Sequence, residues 1–446
     1  MSRAKIAILG AGMSGMAASK ALCDLNCSVY ESRSHAGGHA SSFTTEKGFI
    51  FDEGPHVSFT PHDRIKNFFA RSVGEQFFEY PTYATNYFEG HILKHPVQCN
   101  LYGLPADLIT KCIADFVRAQ YEDKRPIETY KDWCYRGFGE TVSEVFTRPY
   151  TRKYWNLELE QLATDWVSER IYAPRLEEVL EGALKRQTGE HYYMSKFRYP
   201  EHGGFGAYNT LLERGAPIEY GMRAVELDLD HKTILFANGK SEHFDHLISS
   251  LPLPEIVRLC KDVPPSVKEA GEKLACTSHF LLSLGINRPS ISNAYWTYYY
   301  DEDIPFSRAS FPSKYSARTA AEDCSSMQVE VVHSRFKSIP SHDVLVEQCI
   351  DSMIKVGLLH SREEIVSLDA RDIRYANVIF DFDRAPNRAI VHDFLAAHSI
   401  HWCGRYGEWA YLWTDQSVLS GERAAGEVRT ALGLQPRTFD EGLSRS

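Results

Sequence analysis

The 446-residue sequence lacks the marks of several broad classes of protein. Its ten cysteines are scattered, with no Cys-x-x-Cys pair and no His/Cys cluster at metal spacing, so we expect no metal site. Apolar runs stay well short of the roughly 20 residues that a membrane helix needs, so no membrane span is expected. Scattered thiols fit a reducing compartment, and we therefore expect a cytoplasmic protein.

Positive charge is also sparse. The formal net charge is −10 and no Lys/Arg run stands out, so the basic surface that nucleic-acid binding needs is missing. The composition, with 43% hydrophobic and 24% charged residues, is that of an ordinary globular chain. Its length exceeds a single core of about 250–300 residues, which predicts two or three domains. The oligomeric state is left open, a homo-oligomer included.

The first residues predict a dinucleotide-binding unit. "KIAILGAG" is a short apolar strand ending in glycines, "MSGMAASKALCDL" has a helical pattern, and "CSVYES" is a second strand. Gly10, Gly12 and Gly15 take the G-x-G-x-x-G spacing, in which backbone amides and a helix N-terminus receive a pyrophosphate. Glu31 ends the second strand, where an acid binds ribose hydroxyls. This unit explains the basic and apolar start better than a signal peptide does.

Two glycine-containing bends follow. Gly37 and Gly38, in "ESRSHAGGHASSF", form a loop that an NAD domain does not need but that flavoproteins use to cross the FAD diphosphate. We therefore predict FAD, with a plain turn as the alternative. In "FDEGPHVSF", Gly54 permits an unusual backbone angle and the next residue, proline, fixes one, so the bend holds His56 stiffly.

The remaining patterns predict an α/β fold with a discontinuous cofactor domain. Apolar residues at helical spacing run from about 100 to 190, and alternating segments and glycine turns follow. We expect a Rossmann-type FAD-binding domain from residues 1–75, 200–262 and 390–434, and a helical subdomain at 100–190. A mixed antiparallel-sheet substrate domain is expected at 76–99 and 263–389, and a loose tail at 435–446.

Several motifs resemble those of FAD proteins that include protoporphyrinogen oxidases, amine oxidases, carotenoid desaturases and UDP-galactopyranose mutases. These are "GAGMSG", "GGH", "DEGPH", "YPEHGGFG" and "CGRYGEW", together with Glu31. The middle of the chain is most similar to the mutases, above all to their larger eukaryotic-type form. The stretches "HPVQCNL", "RPYTRKYWNLELEQLATDWVSERIYAP", "YYYDEDIPFSRASF" and "CGRYGEWAY" carry this likeness in order along the chain.

The mutase resemblance implies chemistry on a reduced flavin without net oxidation. Flavin N5 attacks the anomeric carbon of a UDP-linked sugar, UDP leaves, and the sugar recloses with a different ring size. The cofactor is then FAD in its reduced form, and NAD(P)H is a candidate external reductant. The partner is a nucleotide-sugar substrate.

The resemblance also assigns roles to residues. His56 is expected beside flavin N5, and Gly404 and Arg405 near the flavin. Arg170 and Arg308 are expected on the substrate diphosphate, because a planar guanidinium pairs with phosphate oxygens and stays charged. Aromatic residues are expected to line the nucleotide, sugar and diphosphate sites: Phe59, Trp155, Tyr298 and Tyr411.

Each of these residues has a plainer interpretation. Arg170 could be a surface arginine on a helix, and Arg308 could be a loop charge. Trp155 and Tyr298 could simply belong to the core, as aromatic residues usually do.

The sequence departs from the mutase pattern on the substrate side. The position of a Tyr that contacts the diphosphate in the mutases aligns with Asn377, and Tyr375 stands two residues earlier. The segment after "CGRYGEW" is also shorter and reads "YLWTDQSVLSG". These changes keep a second function open, an FAD oxidase or dehydrogenase of the amine oxidase or protoporphyrinogen oxidase type. A catalytically idle flavin-binding protein has little support.

Overall fold

The computed structural model describes residues 4–121, 126–167, 170–186 and 194–443. Two sheets organise these residues, and each is covered by helices. The candidate site lies between the two sheets.

The first sheet is parallel and has the strand order β19-β13-β1-β2-β9. Its strands are Lys5–Leu9 (β1), Asn26–Tyr30 (β2), Ile218–Glu219 (β9), His246–Ser249 (β13) and Ile400–Trp402 (β19). All four neighbouring pairs run parallel. The buried apolar residues of β1 and β13 form a strand core covered on both faces, as parallel sheets require. The sheet thus draws its strands from the beginning, the middle and the end of the chain.

The second sheet is mixed and has the order β18-β14-β17-β16-β15-β6-β7. Its strands are Ala84–Phe88 (β6), His91–Lys94 (β7), Ser278–Ile286 (β14), Trp296–Tyr299 (β15), Arg308–Ser310 (β16), Ser325–His333 (β17) and Ile365–Ile373 (β18). The strands β15 and β6 pair in parallel, and the other neighbours are antiparallel.

Smaller antiparallel units complete the strands. A three-stranded sheet joins Ala224–Asp228 (β10), Thr233–Phe236 (β11) and Ser241–His243 (β12). Two ribbons pair Ser42–Thr44 (β3) with Ile50–Asp52 (β4), and Phe77–Pro81 (β5) with Lys196–Pro200 (β8).

Helices cover both sheets. Those before residue 190 are Met13–Ala21 (α1), Asp63–Ser72 (α2), Ala106–Tyr121 (α3), Tyr130–Phe138 (α4), Glu140–Val142 (α5), Arg148–Tyr154 (α6) and Leu176–Leu184 (α7). The later ones are Thr210–Glu213 (α8), Leu253–Leu259 (α9), Pro265–Lys273 (α10), Pro312–Tyr315 (α11), His342–Lys355 (α12), Arg384–Ala397 (α13), Gly404–Gly407 (α14), Thr414–Ala431 (α15) and Phe439–Leu443 (α16). No helix among the described residues is long and apolar enough to cross a membrane.

The predicted loose tail is wrong in its described part, because α16 docks on the body of the protein. Phe439 is fully buried and packs edge-on against Phe68 of α2. A Cβ on Gly442 would lie 2.1 Å from the backbone oxygen of Lys20, so α16 crosses α1 at close range. One apolar side chain and one glycine therefore anchor a segment whose composition is otherwise that of a tail.

Candidate active site

A cavity of about 590 Å³ lies between the parallel sheet and the mixed sheet. One side of it is formed by loops at the carboxyl ends of the parallel strands, and we call its glycines the glycine wall: Gly10, Gly12, Gly37, Gly38 and Gly404. Polar side chains also line the cavity, and we call these the polar wall: His279, Arg308, Glu330, Asn377 and Arg405.

The loop between β1 and α1 has the shape that a dinucleotide needs. Gly10 has a positive φ of 96°, and a Cβ there would lie 2.3 Å from the hydroxyl oxygen of Ser250. A Cβ on Gly15 would lie 2.0 Å from the carbonyl oxygen of Gly10. A Cβ on Gly12, by contrast, would meet nothing within 4 Å, because it points into open space at the start of α1. The backbone at the start of α1 is therefore open to close approach by a pyrophosphate.

Glu31 is buried behind this loop and lines the cavity. Its carboxylate accepts hydrogen bonds from the backbone N–H of Ala11 at 2.8 Å and of Arg33 at 2.9 Å. The acid thus ties the first glycine loop to the end of β2, next to the space that a ribose would take.

The second glycine pair lies directly against the first loop. Gly37 has a φ of 104° and donates its N–H to the carbonyl oxygen of Ala11 at 2.8 Å. A Cβ on Gly38 would lie 3.2 Å from the Cα of Gly12. Neither position has room for a side chain, so this bend closes over the start of α1 as expected for a diphosphate crossing.

Gly404 completes the glycine wall from the far end of the chain. It has a φ of 74°, and a Cβ there would lie 2.4 Å from the hydroxyl oxygen of Ser14. A Cβ on Gly421 of α15 would lie 2.0 Å from the carbonyl oxygen of the same serine. The residues present therefore fit an FAD, with backbone amides and Glu31 to hold it.

His56 faces the cavity from the Gly-Pro bend. Its Nδ1 lies 2.7 Å from the carbonyl oxygen of Gly54, so Nδ1 carries a proton and donates it. The ring packs on Phe205 at 5.3 Å between centroids. Burial lowers the pKa of His56 to about 4, and the imidazole is therefore uncharged at neutral pH.

A second histidine, His39, was missed as a site residue although "GGH" marks its position. It lines the cavity, and its Nδ1 lies 2.9 Å from the hydroxyl oxygen of Tyr406. That hydroxyl donates to the backbone oxygens of Tyr375 and Ala376 at 2.8 and 2.9 Å. Burial lowers the pKa of His39 to about 3, so this imidazole is also uncharged.

Arg308 lies in the cavity lining and pairs with Glu330, which sequence reasoning missed. Its Nη2 donates to Oε1 at 3.0 Å, and its Nε donates to Oε2. Burial would raise the pKa of Glu330, but Arg308 and His279 lower it to about 2. Burial would likewise lower the pKa of Arg308, and the charge of Glu330 raises it instead. Both groups are therefore charged, and one edge of the guanidinium is taken before any ligand arrives.

Arg170 lies one layer behind the cavity lining. Its guanidinium stacks on Tyr411 and Trp413, with centroid distances of 3.9 and 4.0 Å, and its Nη2 donates to the backbone oxygen of Tyr411. Both rings line the cavity, whereas Arg170 does not. The predicted contact of Arg170 with a diphosphate stays a prediction. In this structure Arg170 supports two rings of the cavity lining and is not itself part of that lining.

The predicted aromatic residues divide between the cavity and the core. Phe59 and Tyr411 line the cavity, and Phe59 packs edge-on against Trp413 at 4.8 Å. Trp155 is 3% exposed and lies in the core behind Tyr411, at 5.9 Å between centroids. Tyr298 packs against His95 at 4.7 Å. Neither Trp155 nor Tyr298 is part of the cavity lining formed by the described residues, so their predicted substrate contacts remain untested.

Asn377 lines the cavity and has two side-chain partners. Its Oδ1 accepts from Nη2 of Arg405 at 2.6 Å, and its Nδ2 lies 3.1 Å from Nε2 of His279. Tyr375 also lines the cavity, but its hydroxyl donates to Glu255. The hydroxyl of Tyr375 is thus engaged by Glu255, and Asn377 supplies a polar side chain to the cavity lining.

The missed residues share one sequence signal. His279 and Glu330 each stand as an isolated ionisable residue inside an apolar strand, in "SHFLLSLGI" and "MQVEVVH". A charged or titratable side chain is rarely placed in such a strand unless it has a partner. That signal gives no partner, however, and the pairing depends on the sheet register.

Together the glycine wall, Glu31 and the buried polar wall define a flavoprotein of the dinucleotide-binding type. The chain belongs to the flavin containing amine oxidoreductase family, whose model matches residues 13–429. This confirms the predicted fold class and the predicted resemblance.

The chain is similar to individual members of that group. It is 27% identical to a solved reduced UDP-galactopyranose mutase, with a TM-score of 0.89 and 98% of both chains covered. It is 25% identical over 178 residues to the probable UDP-galactopyranose mutase of Klebsiella pneumoniae, a match that spans 36% of this chain and 44% of that protein. Cyclohexylamine oxidase from Brevibacterium oxydans shares the fold, with a TM-score of 0.65 at 13% identity.

Proposed function

We propose that this flavoprotein is a nucleotide-sugar mutase that interconverts ring forms of UDP-galactose or of a closely related UDP-sugar. The observation that carries the proposal is the half-buried guanidinium of Arg308 in the cavity lining, in the same cavity as Arg405 and the glycine wall. The likeness to a reduced UDP-galactopyranose mutase over 98% of both chains supports it. A site for one diphosphate would then lie beside a site for a second.

When bound and reduced, the flavin supplies a nucleophilic nitrogen to the anomeric carbon of the sugar. Arg308 retains Nη1 for a phosphate oxygen, since its Nε and Nη2 are engaged by Glu330. Arg308 and Arg405 would stabilise the charge that develops on the departing diphosphate. Glu330 keeps the nearer guanidinium fixed, so the site needs little reorganisation during the reaction.

Neutral histidines and aromatic side chains complete the proposed site. His39 and His56 are uncharged at neutral pH, and each has Nδ1 engaged by a neighbour. Each can therefore offer Nε2 as a hydrogen-bond acceptor without adding charge near the cofactor. Tyr411, held by a 2.9 Å contact between its hydroxyl and that of Tyr154, would exclude water from the sugar.

One observation favours a second candidate, an oxidase of the amine oxidase type. Glu330 is a buried carboxylate in the cavity lining, and its low pKa keeps it anionic. Such a group could attract a substrate ammonium. Its pairing with Arg308 makes this function the less favoured one, because the carboxylate is already neutralised.

One experiment separates the two functions. The flavin is reduced anaerobically with dithionite, UDP-galactose is added, and the products are separated by anion-exchange chromatography. The mutase proposal expects a second UDP-sugar of the same mass, and none with the oxidised enzyme. Oxygen uptake with amines and no sugar product would support the oxidase. NAD(P)H can replace dithionite in a parallel assay that tests the proposed external reductant.

Arginine variants test the assignment of the site. Arg308→Ala should weaken UDP binding by about tenfold or more, because a charged hydrogen bond to phosphate is lost. Arg318→Ala is the matched control, since Arg318 is an exposed arginine outside the cavity lining. Equal UDP affinity in the Arg308 variant and the control would remove Arg308 from the site.

A further inference from the structure

Five side chains of the polar wall form one continuous series of hydrogen bonds. Arg405 donates to Asn377 at 2.6 Å, and Asn377 meets His279 at 3.1 Å. His279 Nδ1 lies 3.1 Å from Oε1 of Glu330, which holds Arg308. The five residues come from five separate parts of the chain, so the series joins segments of the cavity lining that are distant in sequence.

The sheet register places the last three residues on one face. Arg308 of β16 stands directly opposite Glu330 of β17. Glu330 stands opposite Leu281 of β14, so His279, two residues away on β14, is its diagonal neighbour. His279 and Glu330 are 8% and 2% exposed, and their contact is therefore shielded from water.

The chemistry of each group fixes the direction of the hydrogen bonds. A guanidinium can only donate, so the oxygen of Asn377 must face Arg405. The Nδ2 of Asn377 then faces His279 and can only donate, so Nε2 of His279 must accept. The ring proton of a neutral imidazole is then on Nδ1, where it is donated to the carboxylate of Glu330. A doubly protonated ring would set an N–H of His279 against an N–H of Asn377.

We propose that His279 is a positioning residue that orients Glu330 and, through it, Arg308, and that Asn377 selects the Nδ1–H tautomer required for this. The hydrogen bond from His279 matters because the carboxylate of Glu330 could rotate without it. Both carboxylate oxygens hold Arg308, so such a rotation would move the guanidinium. The expected effect on substrate binding rests on the proposed function, whereas the expected tautomer of His279 is independent of it.

Three variants separate the effect of the hydrogen bonds of His279 from the effect of its side-chain shape. His279→Gln retains both bonds, because a glutamine amide can donate to Glu330 through its nitrogen and accept from Asn377 through its oxygen. His279→Leu fills similar space and makes neither bond. Asn377→Asp replaces the amide donor by a carboxylate that can only accept, so Nε2 of His279 must then carry a proton.

The tautomer is read by nitrogen NMR of the FAD-loaded enzyme labelled with ¹⁵N-histidine. The signal of His279 is the one absent from His279→Gln. We expect a protonated Nδ1 and an unprotonated Nε2 in the native enzyme, and a protonated Nε2 in Asn377→Asp. A native signal with a proton on Nε2 would overturn the proposal.

Kinetics then test the consequence for Arg308. His279→Leu should raise KM for UDP-galactose about tenfold and should also lower kcat, because Arg308 contacts the diphosphate in the ground state and stabilises the charge that develops on it in the transition state. His279→Gln should restore KM to within about twofold of the native value. An unchanged KM in His279→Leu would contradict the positioning role.

The two readouts also separate this proposal from the proposed function. If the native enzyme shows no mutase turnover but the expected tautomer, the proposed function fails and the orientation of Glu330 by His279 stands. If it turns over with the other tautomer, only the positioning proposal fails. Flavin content and the thermal midpoint check that His279→Leu folds, and the Gln and Asp variants decide the matter if it does not.

Discussion

The glycine wall is built from backbone, whereas the polar wall is built from side chains that hold one another. In the glycine wall a side chain is hindered at four of the five positions by atoms 2.3 to 3.2 Å from where its Cβ would lie. In the polar wall an ion pair and three further hydrogen bonds fix each group relative to the next. The first wall should therefore fail by steric conflict, and the second by loss of a partner.

The largest effect is expected from Gly15→Ala. Its Cβ would lie 2.0 Å from the carbonyl oxygen of Gly10, and backbone must shift to relieve the clash. We expect a loss of about 3 kcal/mol in the free energy of unfolding, together with loss of flavin. Gly12→Ala is the matched control, because its Cβ enters open space: it should keep the thermal midpoint and lose only flavin absorbance. Full flavin content in both variants would contradict the assignment of this loop to the cofactor.

The next effect concerns the ion pair of the polar wall. Glu330→Gln leaves the half-buried guanidinium of Arg308 without its counter-charge, which should cost about 2 kcal/mol of unfolding free energy in urea denaturation. Asp303→Asn serves as a control, because its ion pair with Lys355 is exposed on both sides and should contribute little. If the two variants were equally stable, the polar wall would not depend on this pair.

The pH dependence of stability should distinguish two buried carboxylates. The folded-state pKa of Glu330 is lowered from 4.5 to about 2, so its contribution is present above pH 4.5 and is lost as the pH falls toward 2. Asp52 is bound by Tyr199 and by the N–H of Phe205, and burial raises its pKa from 3.8 to about 6. Its contribution is present below pH 3.8 and is lost as the pH rises through 6.

Thermal midpoints of the native protein, Asp52→Asn and Glu330→Gln between pH 2 and 7 check these directions. Asp52→Asn should remove a decline in stability between about pH 4 and 6, and Glu330→Gln should remove a rise between about pH 2 and 4.5. If the thermal midpoint of Glu330→Gln still fell between about pH 4.5 and 2, other carboxylates would be responsible for that loss of stability.

The smallest effect is expected from Tyr411→Phe. The variant loses the 2.9 Å contact with the hydroxyl of Tyr154 but keeps the ring beneath Arg170 and Arg405. Stability should fall by about 1 kcal/mol and flavin content should not change. Tyr411→Ala should raise KM more than Tyr411→Phe does, since the stacking of both arginines is lost as well. Equal KM values in the two variants would show that the ring does not support the site.

The difference between the walls also explains what the sequence could predict. The glycine wall rests on local spacing, so Gly10, Gly12, Gly15, Glu31, Gly37 and Gly38 could be identified from short motifs. The polar wall joins residues 279, 308, 330 and 377. The register of the mixed sheet brings the first, second and third of these together, and the loop after β18 adds residue 377. Trp155 shows a second limit of prediction from sequence motifs. A motif does not tell whether an aromatic ring lines a cavity or lies behind the ring that does.

The docking of α15 and α16 on α1 has a consequence for how the protein matures. The helix that begins the glycine wall is covered by Gly421 and Gly442, which approach Ser14 and Lys20 at backbone distance. During synthesis, residues 13–21 therefore cannot pack against α15 until that helix has been made, because it begins more than 390 residues later in the chain. A nascent chain can complete the glycine-lined pocket only after α15 and α16 have emerged, so the pocket closes late although its first loop is made early.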